Sequence, residues 1–405
     1  MAEIPMVFIL VGLAAYTVLA GADFGAGLWT LLAGPGRAGR AAAREHARHA
    51  MGPVWEANHV WLIFVLVVCW TAYPVAFGSI MSTLAVPLFI AAVGIILRGA
   101  SYALRGQLDG APGRRAIENL FALSSVLTPF ALGTVVGGIA SGRVPVGNAA
   151  GDMITSWLNP TSVLIGALAV ATGGYLAAVY LAADAHRLGV RELELDFRAR
   201  ALGAGLCAGV LAVAGLVVVH YDAPPLSDGL TSGGGVAMIV VSAAAGLATL
   251  FLVWRNHFGP ARASAALAVV AIVAGWALAQ KPRFLSGLTV DQAAASRSTL
   301  LAVIIAVAVG AVVLAPSLLL LFRLLLRGRF DPAAVPGEIV LDVPQTAPKR
   351  KPRLLTAVAG ATLVIGVVVT VVVDGGWARV LGVLCLFVGA IATFGLAATE
   401  PDEQM

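Results

Sequence analysis

Residues 52–74, GPVWEANHVWLIFVLVVCWTAYP, set a polar cluster at the mouth of a long apolar run. Glu56, Asn58 and His59 lie between Trp55 and Trp61, and the run then continues without charge to Tyr73 and Pro74. Pro53 suits a first helical position. On the helix beyond it, Glu56 and His59 are i,i+3 neighbours, and Trp55 faces Asn58 and His59. An uncharged apolar run of this length is the signal of a membrane helix.

The rest of the chain repeats that signal. Its 405 residues are 60% hydrophobic and 12% charged, whereas soluble domains carry about 25% charged residues. Lipid leaves backbone polar groups no partner but the segment itself, so repeated apolar runs mean helices. The expected fold is all-α, a polytopic integral membrane protein. The opening MAEIPMVFIL has no basic n-region and no small-residue cleavage site, so it reads as a retained span. Cys69, Cys207 and Cys385 all fall in apolar runs and form no CxxC; they read as small core residues.

The apolar runs make eleven candidate spans, at about 5–32, 54–74, 80–104, 116–140, 158–183, 200–220, 235–254, 262–280, 298–326, 354–373 and 377–398. Only YPVAFGS separates the second from the third. Residues 1–326 make nine spans, and residues 327–353 make a Pro-rich linker with a basic end. Residues 354–405 make a two-helix extension with a short acidic tail. Of the 26 Lys and Arg residues, 20 fall in one set of alternate loops, 5 in the other, and Arg98 lies inside a span. Basic loops stay in the cytoplasm, which puts the N-terminus outside and the C-terminus inside. The net charge of +5 is thus a topology signal and not a nucleic-acid footprint.

Ionisable residues at membrane depth mark functional sites by default. Asp23, in AGADFGAG, lies roughly 14 Å from the cytoplasmic end of its span by helical rise. Glu56 opens the second span, Arg98 lies near the end of the third, and Glu118 opens the fourth. All four fall in the cytoplasmic half. Gly21 and Gly25 form a GxxxG that admits another helix close to Asp23. Two uses fit this set: a proton wire, or a charge-paired helix junction. In the second, Glu56 answers its helix N-terminus and Arg98 is a counter-ion. His46, His49, His186 and His257 fall in cytoplasmic loops and His220 at an outer helix end. No pair of buried axial ligands and no CxxCH occurs, so no haem is expected on this chain. GxxxxGK[ST], GxGxxG, HExxH and GxSxG are absent as well. A secondary transporter using Asp23, Glu56 and Arg98 as an ion or substrate site is the alternative, although the broken midplane helices of transporters are not evident in the runs.

GADFGAG, then PVWEANHVWL, a YP break and ILRGASYALRG resemble subunit II of cytochrome bd-type quinol oxidases. WALAQKPRFLSGLTVDQAAASRSTL, residues 276–300, is similar to the block before that family's last helix. The resemblance runs over about residues 5–326. It implies nine helices with the N-terminus outside, in a bacterial plasma membrane. It also implies a heterodimer with subunit I, which binds the three haems (b and d types) and the quinol, and reduces oxygen to water. Subunit II ligates no haem, and a structural quinone in it is left open. Small single-helix subunits are further partners in some relatives. The resemblance makes Asp23 and Glu56 the acids of a cytoplasmic proton path, with Asn58, His59 and Glu118 as further candidates and Trp55 and Arg98 as supports. Two departures stand out. Many relatives carry an acid where this chain has Ala20, and many carry Asp-Gly where it has Glu56-Ala57. The terminal pair of spans is additional to the family, and is expected to pack as a fused accessory on a lipid-facing surface.

Overall fold

The computed structural model describes residues 1–32, 39–51, 55–104 and 111–326, with single helical positions between 360 and 388. It divides into two compact units, Met1–Phe322 and Arg323–Met405. The linker 327–353 and most of the two terminal spans lie outside the described residues.

The first unit is helical, with one small hairpin. In chain order its elements are α1 (Glu3–Leu31), α2 (Gly39–Met51), α3 (Trp55–Ala72), α4 (Pro74–Thr83), α5 (Ala85–Leu104), α6 (Ala111–Ala140), α7 (Pro160–Arg187) and α8 (Arg191–Asp222). Then come α9 (Pro224–Leu230), α10 (Gly233–Trp254), α11 (Phe258–Gln280), β1 (Arg283–Leu285), β2 (Leu288–Thr289), α12 (Val290–Ala293) and α13 (Arg297–Leu326). Among the described residues seven helices are long and apolar enough to cross a membrane; Asn58–Ala72 is a shorter apolar helix, and α4 with α5 forms a pair bent by 82°.

The third span departs from expectation at this bend. YPVAFGS is not a loop: Tyr73 alone interrupts the chain, Pro74 starts α4, and the break falls at Leu84. Pro74 has no N–H to give a preceding turn but is well placed to open a helix. The chain therefore contains a helix pair sharply bent at a one-residue break, which its apolar runs conceal. The break is 14 residues from Arg98, roughly 20 Å along a helix, so it does not shape the charged centre. The segment between the first two spans carries the short helix α2, on which His46 and His49 lie. Helix α6 begins at Ala111, and Glu118 stands at the start of its membrane-length stretch, Ile117–Ala140, as expected.

Helix α1 is the hub, packed on α7, α3, α6 and α11. The Gly21–Gly25 pair explains its closest contact. A Cβ added at Gly25 would collide with the carbonyl of Gly173 on α7, and one at Gly21 would come within 3.8 Å of the Gly173 Cα. The main core gathers small residues around this crossing, among them Ala22, Ala26, Ala177, Ala178 and Ala182, together with Leu176, Leu181 and Phe197. Without water to drive helices together, such close backbone approach supplies the packing. Gly25→Leu should therefore cut the amount of assembled protein in the membrane, read on native gels. Overpacking costs about 1–3 kcal/mol when side chains can give way, and a carbonyl cannot.

The outward faces are apolar as well. Leu206, Val210 and Val213 on α8 are more than 60% exposed, as expected where lipid covers the surface. Cys207 corrects the core reading of the cysteines: it is exposed on this face, while Cys69 is buried. A residue in an apolar run can face lipid as readily as protein.

One end of the bundle is tied by polar contacts. Arg143 holds Asp222 through two hydrogen bonds of 3.0 and 2.7 Å, and Thr161 donates to the same carboxylate. Tyr73 donates to the carbonyl of Ala2, and the Ala295 amide donates to the Ala72 carbonyl at 2.8 Å. The other end carries Arg44 donating to the Thr30 carbonyl, His46 on the Leu181 carbonyl, and Arg262 paired with Asp184.

Candidate functional site

Among the described residues the most buried charges are Asp23 on α1 and Arg98 on α5, at 0% and 1% exposure. Arg98 Nη2 lies 2.6 Å from Asp23 Oδ1, and the same nitrogen donates to the Asp23 backbone carbonyl at 2.9 Å. Arg98 Nη1 donates to Ser125 Oγ on α6, and Ser125 in turn donates to the Phe121 carbonyl at 2.6 Å. The guanidinium also sits between two rings, 4.9 Å from the centroid of Phe24 and 4.2 Å from that of Phe121. Cation–π contact in a desolvated site is worth about 2 kcal/mol or more.

Three helices make this geometry possible. Gly27 lies one turn beyond Asp23, and a Cβ there would strike Ser125 and come within 3.1 Å of Arg98 Nη1. Only glycine lets the guanidinium bridge α1 and α6. On α6, Pro129 has no N–H for the carbonyl four residues before it, which is that of Ser125. The Ser125 carbonyl thus lacks its helical donor beside the ion pair.

Around this centre lie the other residues singled out from sequence. Asn58 on α3 is fully buried, and its Nδ2 donates to the Leu19 carbonyl at 3.4 Å. The His59 ring meets Tyr16 and Phe24 edge-on, both at 6.4 Å between centroids. Glu118 joins Arg44 and Glu45 in lining an open cleft of about 470 Å³ between α2 and α6. Glu118 precedes Ser125 by seven residues, two turns on one face and roughly 10 Å along the axis. The cleft thus opens onto the α6 face that carries the Arg98 contact. The side chains of Trp55 and Glu56 lie outside the described residues, so the geometry does not place them.

The structure adds participants that sequence reasoning missed. Ser125, Phe121 and Phe24 form the cage of Arg98. Ser and Phe inside apolar runs are ordinary, and only the adjacent serines in ALSSVL hinted at a polar face. Tyr16, 6% exposed, was hidden in the same way. The Ala20 position is enclosed by Tyr16, Phe24, Trp61, Leu62 and Leu132, an apolar setting without a carboxylate.

The arrangement can hold a carboxylate at membrane depth with one oxygen fixed and the other available. Asp23 Oδ1 is taken by Arg98, while Asp23 Oδ2 meets no hydrogen-bond partner among the described residues. Three of the histidines are engaged by protein groups. His46 is engaged by the Leu181 carbonyl, His186 by Glu194 and His220 by Ser227. Among the described residues no three His, Cys, Asp or Glu side chains converge as a metal ion requires.

Comparison with known proteins bears on this geometry directly. The family model described as cytochrome bd terminal oxidase subunit II matches residues 1–325. Cytochrome bd ubiquinol oxidase subunit 2 of Bacillus subtilis (strain 168) is 28% identical over 130 residues, covering 32% of this chain. That match spans 37% of the relative's own length. A chain in the structure of bd oxidase from Geobacillus thermodenitrificans superposes with a TM-score of 0.64 at 26% identity. The likeness covers 82% of this chain and 99% of that one. These matches do not favour the secondary-transporter alternative.

Proposed function

Because this chain belongs to the cytochrome bd terminal oxidase subunit II family, we propose that it is the haem-free membrane subunit of a quinol:oxygen oxidoreductase in a bacterial plasma membrane. Its partner in this reading is the haem-bearing subunit I, and quinol and oxygen are the substrates of the pair. The observation that carries the reading is a family match over residues 1–325 together with a fold likeness covering 99% of a bd oxidase chain. A structural quinone and small single-helix subunits fit the same complex.

In this reading the haems of the partner, when bound, supply electron transfer and oxygen reduction. This chain supplies protons. Glu45 and Glu118 at the cleft collect them on the side that carries most of the basic loops. The α6 face leads from Glu118 to Ser125 and so to the Asp23–Arg98 pair. Arg98 holds Asp23 Oδ1 still, so that Oδ2 exchanges the proton. Glu56, on the first turn of α3, is a second entrance. Asn58 and His59 line the α1–α3 contact beyond Asp23.

A tagged chain purified from membranes should bring down a haem-bearing polypeptide and consume oxygen with added quinol. Purification without a haem partner would overturn the assignment. Glu56→Gln should slow oxygen consumption severalfold at unchanged haem content, because the amide keeps the shape and cannot carry a proton. A variant as fast as the parent would place Glu56 in a structural role.

A further inference from the structure

Three buried polar atoms cluster along the contact of α1 with α3, and none has a hydrogen-bond partner among the described residues. They are the Tyr16 hydroxyl, Asp23 Oδ2 and Asn58 Oδ1. Their residues are 6%, 0% and 0% exposed. Tyr16 precedes Asp23 by seven residues, which sets both on one face of α1 about 10 Å apart along the axis. Leu19, whose carbonyl accepts from Asn58 Nδ2, lies between them. His59, next to Asn58 on α3, meets the Tyr16 ring edge-on. The first turns of α3 therefore cover the stretch of α1 from Tyr16 to Asp23.

Ala20 stands on that same face and is 1% exposed. Its methyl group leaves the middle of the stretch without a polar side chain of its own. A buried hydroxyl, amide carbonyl and carboxylate oxygen all left dry would each forfeit the hydrogen bonds they make in water. Buried water, which makes about three bonds to such groups, is how proteins meet that need.

We propose that the α1–α3 interface binds ordered water that bridges Tyr16 Oη, Asn58 Oδ1 and Asp23 Oδ2, and that Tyr16 carries the proton route of Asp23 deeper into the membrane. The proposal rests on the proton-uptake reading and extends it to a residue that reading does not use. A tyrosine hydroxyl both donates and accepts. Asp23 Oδ2 gives its proton to the adjacent water, that water gives one of its own to Tyr16 Oη, and Tyr16 releases its original proton to a water beyond. One O–H bond forms for each that breaks. Asn58 is a positioning residue: its carbonyl accepts from the water and orients it, and moves no proton.

The test uses the intact oxidase complex. A cryo-EM map fine enough to show water should place density within hydrogen-bond distance of Tyr16 Oη and Asn58 Oδ1. Tyr16→Phe, which keeps the ring, should lower quinol-driven oxygen consumption about fivefold, the rate equivalent of one ordinary hydrogen bond. The solvent isotope effect should rise and the haem spectrum should stay the same. A dry contact between the two groups in the map, or a Tyr16→Phe complex with the parent's rate and isotope effect, overturns the proposal. Asp23→Asn run in parallel separates the two levels. If it slows turnover while Tyr16→Phe does not, only the Tyr16 extension fails; if neither slows turnover, the proton route itself fails. Should Tyr16→Phe not assemble, the map of the unmodified complex decides.

Discussion

Asp23→Asn should lower the oxygen consumption of the complex by about 100-fold, the lower end of what a positioned proton-transfer group contributes, with the haem difference spectrum retained. Asparagine has almost the same shape as aspartate, and its carbonyl can still accept from Arg98 Nη2, which lies 2.6 Å from Oδ1. Arg98 also keeps Ser125, the Asp23 backbone carbonyl and its two aromatic rings. The helix junction therefore survives, and what disappears is the oxygen that can hold a proton. Oxygen-electrode rates on purified complex, normalised to haem, measure the effect. A fall in rate that merely tracks a fall in haem would mean that Asp23 holds helices together and carries nothing.

Arg98→Met should have the larger effect on stability. Removing one partner of a buried ion pair leaves the other charge without compensation, at a cost of about 3–5 kcal/mol. Here the loss is compounded: the same guanidinium ties α5 to α1 and α6 and stacks between Phe24 and Phe121. The complex should melt at a distinctly lower temperature and accumulate poorly. Adding Asp23→Asn to Arg98→Met should recover much of that stability, because the uncompensated carboxylate is gone and methionine fills the gap among the rings. The double variant should remain as slow as Asp23→Asn alone. Stability that returns without activity separates the structural role of the pair from its role in proton transfer. If the double variant were no more stable than Arg98→Met, the charge would not be the source of the loss.

Much of the architecture was legible in the order of residues. Apolar runs and Gly–Pro punctuation place most of the long helices, because lipid demands that each segment satisfy its own backbone. The GxxxG at Gly21 and Gly25 signalled a close crossing, and its partner is Gly173 on α7. The bend at Leu84 was not legible, since the run around it carries no charge and only Pro87, in the first turn of α5, lies near the place. Nor was the exposure of Cys207: in a membrane both faces of a helix are apolar, so periodicity loses the contrast that separates inside from outside in water.

Of the candidate site, the charged residues announced themselves by sequence alone. Asp23, Arg98 and Glu118 are costly in apolar runs, and that cost is visible without coordinates. Which of them meet was a matter for the tertiary structure. Asp23 and Arg98 are 75 residues apart and form one ion pair, while Glu118 stands two helical turns along α6 at a separate cleft. Ser125, Phe121 and Tyr16 are unremarkable residue types whose meaning comes only from what they touch. Sequence settled which groups are too polar for their surroundings, because hydration is a property of each residue. The fold decided which of those groups answer one another, because a hydrogen bond depends on a distance that only packed helices set.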